Sequence, residues 1–219
     1  MTTQKKITSV LFVFTAFCAA MEAVRMYCSF SLGYVFLLWN LVLAWVPYLL
    51  SLEFMKYDVR RRWIAVSGIL CIWVLFLPNG PYIITDLIHL RQRAPIPMWY
   101  DVMLTSTYAW VGLLLTLLSV RNVHQKLQEY FSPLKIWVGL FVLFMSSGYG
   151  IYLGRFLRWN SWDVFLRPIY LVHHSILELI HPFHHPRPIL VTGIVCMLLS
   201  FSYVIFYLIG HKPTNHETL

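Results

Sequence analysis

The chain has 219 residues, of which 59% are hydrophobic and 12% charged, and its mean hydropathy of +0.66 lies far above that of an ordinary soluble domain. That balance excludes a soluble globular fold and defines an integral membrane protein. The formal charge of +8 does not point to nucleic acid, because the basic residues sit between apolar runs, where they act as topology signals and headgroup contacts.

In chain order, Lys5 and Lys6 precede an apolar run with the outline of a signal peptide, and Cys18-Ala19-Ala20 has small residues where cleavage could fall. The run continues past that point, interrupted by Glu22 and Arg25, so a retained first span is expected. Runs approaching the roughly 20 residues that a bilayer requires occupy 7–27, 33–52, 63–77, 98–120, 135–153 and 188–210. The expected fold class is all-α: a six-span transmembrane bundle, residues 1–219 forming a single transmembrane domain. Cys18, Cys28, Cys71 and Cys196 show no CxxC spacing and read as small hydrophobes rather than a disulfide or zinc framework.

Six spans place both termini on one side. Ten basic residues then share that side, among them Lys5, Lys6, Lys56, Arg60, Arg61, Arg62, Arg121 and Lys126, and seven lie on the other. By the positive-inside rule the richer side is cytoplasmic. All six lysines fall inside and every basic residue outside is arginine, whose planar fork suits carboxylate or phosphate. An anion-facing outer surface is one reading of that split; an arginine and tryptophan headgroup belt is the other.

Two segments depart from simple spans. The run at 63–77 covers only about 22 Å of a roughly 30 Å hydrocarbon core, and Pro78-Asn79-Gly80-Pro81 follows it. Two prolines flanking Asn-Gly stop one helix and favour a restart with Pro81 in the first turn, so the third span is expected to break at 78–81. The stretch 168–181 alternates apolar and polar faces at helical spacing, which predicts a short amphipathic helix lying in the outer interface. Were it to cross, there would be seven spans.

In the restarted helix, Tyr82, Asp86, His89 and Arg93 share a face at spacings of four, three and four. A carboxylate three residues before an imidazole can orient its tautomer, bind metal with it, or act as an acid–base pair. The fifth span carries Ser146, Gly150 and Gly154 at four-residue spacing, a seam along which another helix can approach closely. It ends in Gly154-Arg155-Phe156-Leu157-Arg158-Trp159-Asn160-Ser161-Trp162-Asp163. Consecutive spans tend to be neighbours, so Asp86, His89, Asp101 and Asp163, as candidate catalytic groups, are expected to meet Asn79, Tyr82, Arg155, Arg158 and Asn160, as candidate ligand-binding groups, in one outer pocket. His174, Glu178 and His181 share a helical face and form a candidate metal set. Glu22 and Arg25, three residues apart, are expected to pair or to reach toward the interface. No P-loop, nucleophile elbow or dinucleotide fingerprint is present, and no cofactor is indicated.

The run PNGPYIITDLIHL after a short apolar span, Trp99-Tyr100-Asp101 opening the next, and the Arg-Trp-Asn-Ser-Trp-Asp stretch after a glycine-rich span resemble the bacterial integral-membrane family catalogued as domain of unknown function 1361. Gly80 stands where alanine is common in that pattern, a change from one small residue to another. The resemblance implies a bacterial cell-membrane protein and supplies no activity. Three functions compete: an outward-facing site binding or processing an anionic or lipid-linked ligand, a transporter, or an accessory scaffold for another membrane protein. Membrane lipids are the expected partners. Polar groups rarely reach mid-span, Asn40 being an exception, whereas an ion-coupled transporter usually carries buried carboxylates. The first reading is therefore preferred.

Overall fold

The computed structural model describes residues 2–91, 95–159, 166, 169 and 186–210. Six helical segments in it are long and apolar enough to cross a membrane, as the hydropathy pattern predicts. They are α1 (Thr3–Ser29), α2 (Phe36–Phe54), a composite third span, α5 (Met98–Leu127), α6 (Pro133–Phe156) and α7 (Arg187–Gly210). The third span consists of α3 (Trp63–Phe76), a single turn α4 (Asn79–Tyr82) and a 3₁₀ helix (Ile83–His89). It is bent at Leu77–Pro78, where proline offers no N–H to continue the ladder, yet Leu77 and Pro78 keep right-handed helical angles. The chain therefore turns without leaving helical space. The amphipathic helix predicted at 168–181 lies outside the described residues, apart from Ile169.

The 30-residue α5 is the central element and packs against α1, α2, α4, the 3₁₀ helix and α7. One apolar cluster joins α1, α2 and α5 through Leu11, Cys18, Leu41, Tyr48 and Tyr108. A second joins α3, α5, α6 and α7 through Trp73, Leu117, Phe144 and Leu199. In a lipid solvent, buried polar groups must be satisfied within the protein, and those between α2, α3 and α5 are. Trp73 Nε1 donates to Ser119 Oγ at 2.7 Å, which donates to the Pro47 carbonyl at 2.9 Å. Asn122 Nδ2 donates to Ser51 Oγ at 3.0 Å, which donates to the Tyr48 carbonyl at 2.7 Å.

Close helix crossings rest on small residues. A Cβ at Gly80 would lie 2.0 Å from Thr116 Oγ1 and 2.7 Å from the Gly112 carbonyl oxygen, so α4 meets α5 nearly backbone to backbone. The expectation that alanine and glycine are interchangeable at position 80 does not hold in this chain. Gly148 similarly admits α7, with the Thr192 carbonyl oxygen 2.6 Å from where a Cβ would sit.

Helix α5 runs seven residues beyond the span predicted for it, carrying Arg121 and Lys126 on its last turns. The α2–α3 and α5–α6 connections meet there: the Arg60 guanidinium lies 5.8 Å from the Tyr130 ring centre, as does Lys126 Nζ. The basic loops thus gather at one end of the bundle. The start of α2, the 3₁₀ helix, the start of α5 and the end of α6 form the other.

Candidate functional site

Arg155, in the last turn of α6, reaches the third span because the seam beneath it is free of side chains. A Cβ at Gly150 would lie 3.2 Å from Pro78 Cγ, and one at Gly154 would lie 3.1 Å from Tyr82 Cε2. The seam read from the sequence therefore does the positioning, with Gly150 and Gly154 against the bend; Ser146 instead donates to its own helix at Val142 O, 2.8 Å away.

Each nitrogen of the Arg155 guanidinium has a partner, and so does one of its faces. Its face lies 4.3 Å from the centre of the Tyr82 ring, a cation–π contact strengthened by burial. In its plane, Nε donates to Thr85 Oγ1 at 2.8 Å, Nη1 to His89 Nε2 at 2.7 Å, and Nη2 to Asp86 Oδ1. Thr85 donates its own hydrogen to the Tyr82 carbonyl at 2.6 Å, which leaves Oγ1 as the acceptor. A 3₁₀ helix nearly eclipses residues three apart, which keeps Asp86 and His89 on the face that the α-helical spacing had predicted. Asp86 is 1% exposed, and its second oxygen accepts from Asn40 Nδ2 of α2 at 2.9 Å. One carboxylate thus ties α2, the third span and α6 together.

Guanidinium groups only donate. His89 Nε2 is then the acceptor of this contact, the tautomer that carries its hydrogen on Nδ1. Its ring stands edge-on to Phe36, centroids 5.7 Å apart. Phe36, Asn40, Tyr82, Asp86, His89 and Arg155, with Gly33 and Tyr34, line a cavity of about 370 Å³, within the roughly 300–1,000 Å³ range of small-molecule sites. Asp86 and Arg155 cancel in charge, and both Asp86 oxygens are engaged. Among the described residues, what remains for a guest is a surplus of donors: two guanidinium N–H groups, His89 Nδ1–H, the second Asn40 N–H and the Tyr82 hydroxyl.

The other sequence candidates among the described residues fall outside this cavity. Asp101 belongs to a separate pair: its oxygens accept from Arg25 Nε at 2.7 Å and Nη2 at 3.1 Å, both residues 1% exposed or less. Arg25 therefore bonds Asp101 across 76 positions of sequence and not Glu22 on its own helix. The two sets share one wall, since Tyr34 lines the cavity and carries Arg25 at 4.1 Å from its ring centre. Asn79 donates to the Phe76 carbonyl at 2.9 Å and does not line the cavity. Arg158 is exposed; the chain reverses there with φ 59°, and Trp159 N–H returns to the Leu153 carbonyl at 3.2 Å. Asn160, Asp163, His174, Glu178 and His181 lie outside the described residues, among which no three metal-ligating side chains cluster. Thr85, Tyr34 and Phe36 were not singled out by the sequence, because a hydroxyl and two aromatics near a span end resemble an ordinary interfacial belt. Asn40 stood out only as an isolated polar residue within a span.

A bundle of six membrane-length apolar helices, holding a polar cavity at the end away from its basic loops, is the architecture of a multi-pass membrane protein. Residues 39–201 match the family described as protein of unknown function (DUF1361), and the chain belongs to that family. The matched stretch contains Asn40, Tyr82, Thr85, Asp86, His89 and Arg155 and leaves out α1. No curated protein and no solved structure matches the chain.

Proposed function

We propose that the protein is a bacterial cell-membrane protein with both termini in the cytoplasm, whose outer cavity binds the phosphate-bearing headgroup of an anionic lipid or lipid-linked molecule. The orientation follows from the basic loops around Tyr130, which the positive-inside rule assigns to the cytoplasm. The observation that carries the binding reading is the Arg155 fork, laid on Tyr82 and fixed in plane by Thr85, Asp86 and His89. A fork held in this way presents its remaining N–H groups with little entropy left to lose, which favours planar oxyanion recognition over a mobile lysine. With Asp86 doubly engaged and His89 Nε2 occupied, the same geometry supports binding rather than acid–base chemistry.

The test is mass spectrometry of lipids retained by protein purified in mild detergent. Wild type is expected to carry phosphate-bearing lipid. Arg155→Lys, monodisperse and of unchanged helicity, is expected to lose it despite keeping the charge. Equal lipid content in the two proteins would reduce Arg155 to a structural ion pair.

A further inference from the structure

Beside Tyr34, which also lines the cavity, two buried carboxylates lie near one guanidinium. Asp101 of α5 takes both facing nitrogens of Arg25. Glu22, one turn before Arg25 on α1, is 1% exposed, and neither of its oxygens has a hydrogen-bond partner among the described residues. The third guanidinium nitrogen, Arg25 Nη1, and the Tyr108 hydroxyl are likewise buried and unpartnered. The ionisable groups interacting with Glu22 are Arg25 on its own helix and Asp101, Tyr100 and Tyr108 on α5, with Cys18 facing Tyr108 and Tyr34 facing Arg25. Arg25 is the single cation among them.

The charges do not balance if both acids are ionised. Two carboxylates and one guanidinium leave one negative charge in a membrane helix, and an uncompensated buried charge is among the costliest features a fold can carry. A metal cation is a poor remedy, because Glu22 offers one carboxylate, no third ligating side chain clusters nearby among the described residues, and the Arg25 guanidinium would repel it. A proton balances the charge without further ligands.

We propose that Glu22, Arg25 and Asp101 form a one-proton binding site within the bundle. The proton rests on Glu22 while Arg25 pairs with Asp101. In the exchanged arrangement Arg25 pairs with Glu22 and the proton rests on Asp101, so two carboxylates, one guanidinium and one proton are conserved throughout. Arg25 lies on the Tyr34 ring that also walls the cavity, so the proton site adjoins it.

Infrared spectroscopy of the purified full-length protein tests this without any ligand, so its outcome is separate from that of the headgroup reading. At neutral pH the wild type is expected to show the carbonyl stretch of a protonated carboxylic acid, shifted when the protein is made by cell-free synthesis with ¹³C-glutamate. Glu22→Gln removes the band, because Asp101 stays paired. Asp101→Asn also removes it, because Arg25 and Glu22 then balance one another as ions. A wild-type spectrum with no glutamate-derived acid band overturns the proposal even if neither variant folds. Persistence of that band in a folded Asp101→Asn protein overturns the shared proton.

Discussion

Gly80→Ala adds one methyl group where α4 crosses α5, and the structure sets its cost. The new Cβ would stand 2.0 Å from Thr116 Oγ1 and 2.7 Å from the Gly112 carbonyl oxygen, against an ordinary contact distance of 3.4–4 Å. Thr116 can rotate, at the loss of its 3.0 Å bond to that carbonyl, worth about 1 kcal/mol. The carbonyl itself cannot rotate away, so the helices must part, and overpacking of this kind costs about 1–3 kcal/mol. Together these give a destabilisation of about 2–4 kcal/mol. Gly68 and Gly139 provide the contrast, since a Cβ at either meets nothing within 4 Å; alanine there should be neutral or stabilise by up to about 1 kcal/mol through helix propensity. Unfolding by denaturant in mixed micelles, followed by circular dichroism, measures all three. Thr116→Ala should restore part of the loss in a double-mutant cycle, leaving the clash with the Gly112 carbonyl. If Gly80→Ala proves as stable as Gly68→Ala, the close crossing is wrong, and with it the placement of Tyr82 and Asp86.

Asp86→Ala leaves the largely covered Arg155 without its anion and should cost about 2–4 kcal/mol, below the value for a fully buried charge, which Asp86→Ala combined with Arg155→Leu should largely recover; the same micellar unfolding assay decides. Thr85→Val keeps the shape and removes the acceptor for Arg155 Nε, so a loss of about 1.5–3 kcal/mol is expected, as for hydrogen bonds to charged groups, with lipid retention falling alongside. Gly148→Val should loosen α6 from α7, because the Thr192 carbonyl oxygen sits 2.6 Å from the new Cβ; cross-linking between cysteines at Ser147 and Thr192 would report the separation as a lower yield.

Much of this arrangement was legible in the chain. Hydropathy located the six spans because lipid imposes one requirement on all of them, a long apolar helix. The bend at Pro78 followed from the chemistry of proline, and the Gly150–Gly154 seam from the need for small residues where helices touch. Asp86 and His89 kept a common face through a change from α to 3₁₀ geometry because three-residue spacing aligns in both. The pairing of charges was not legible. Arg25 lies three residues from Glu22 but bonds Asp101, and local spacing carries no information about which helix packs against α1. Asn40 and Thr85 were equally hidden, since their roles come from Asp86 and Arg155 brought to them by the fold. Nor does a sequence distinguish glycine from alanine at position 80, where the difference is one contact with Thr116 on another helix.

Photo-crosslinking from the cavity wall tests the headgroup reading most directly. p-Benzoylphenylalanine replaces Phe36, which lines the cavity, and in a second protein replaces Phe141, an exposed residue of α6 that reports the bulk lipid. After irradiation in native membranes, mass spectrometry identifies the adducts. A phosphate-bearing anionic lipid or lipid-linked molecule enriched at position 36 over position 141, and lost from position 36 when Arg155 is lysine, is the predicted result. No lipid adduct at position 36, or the same lipid profile at both positions, would contradict it.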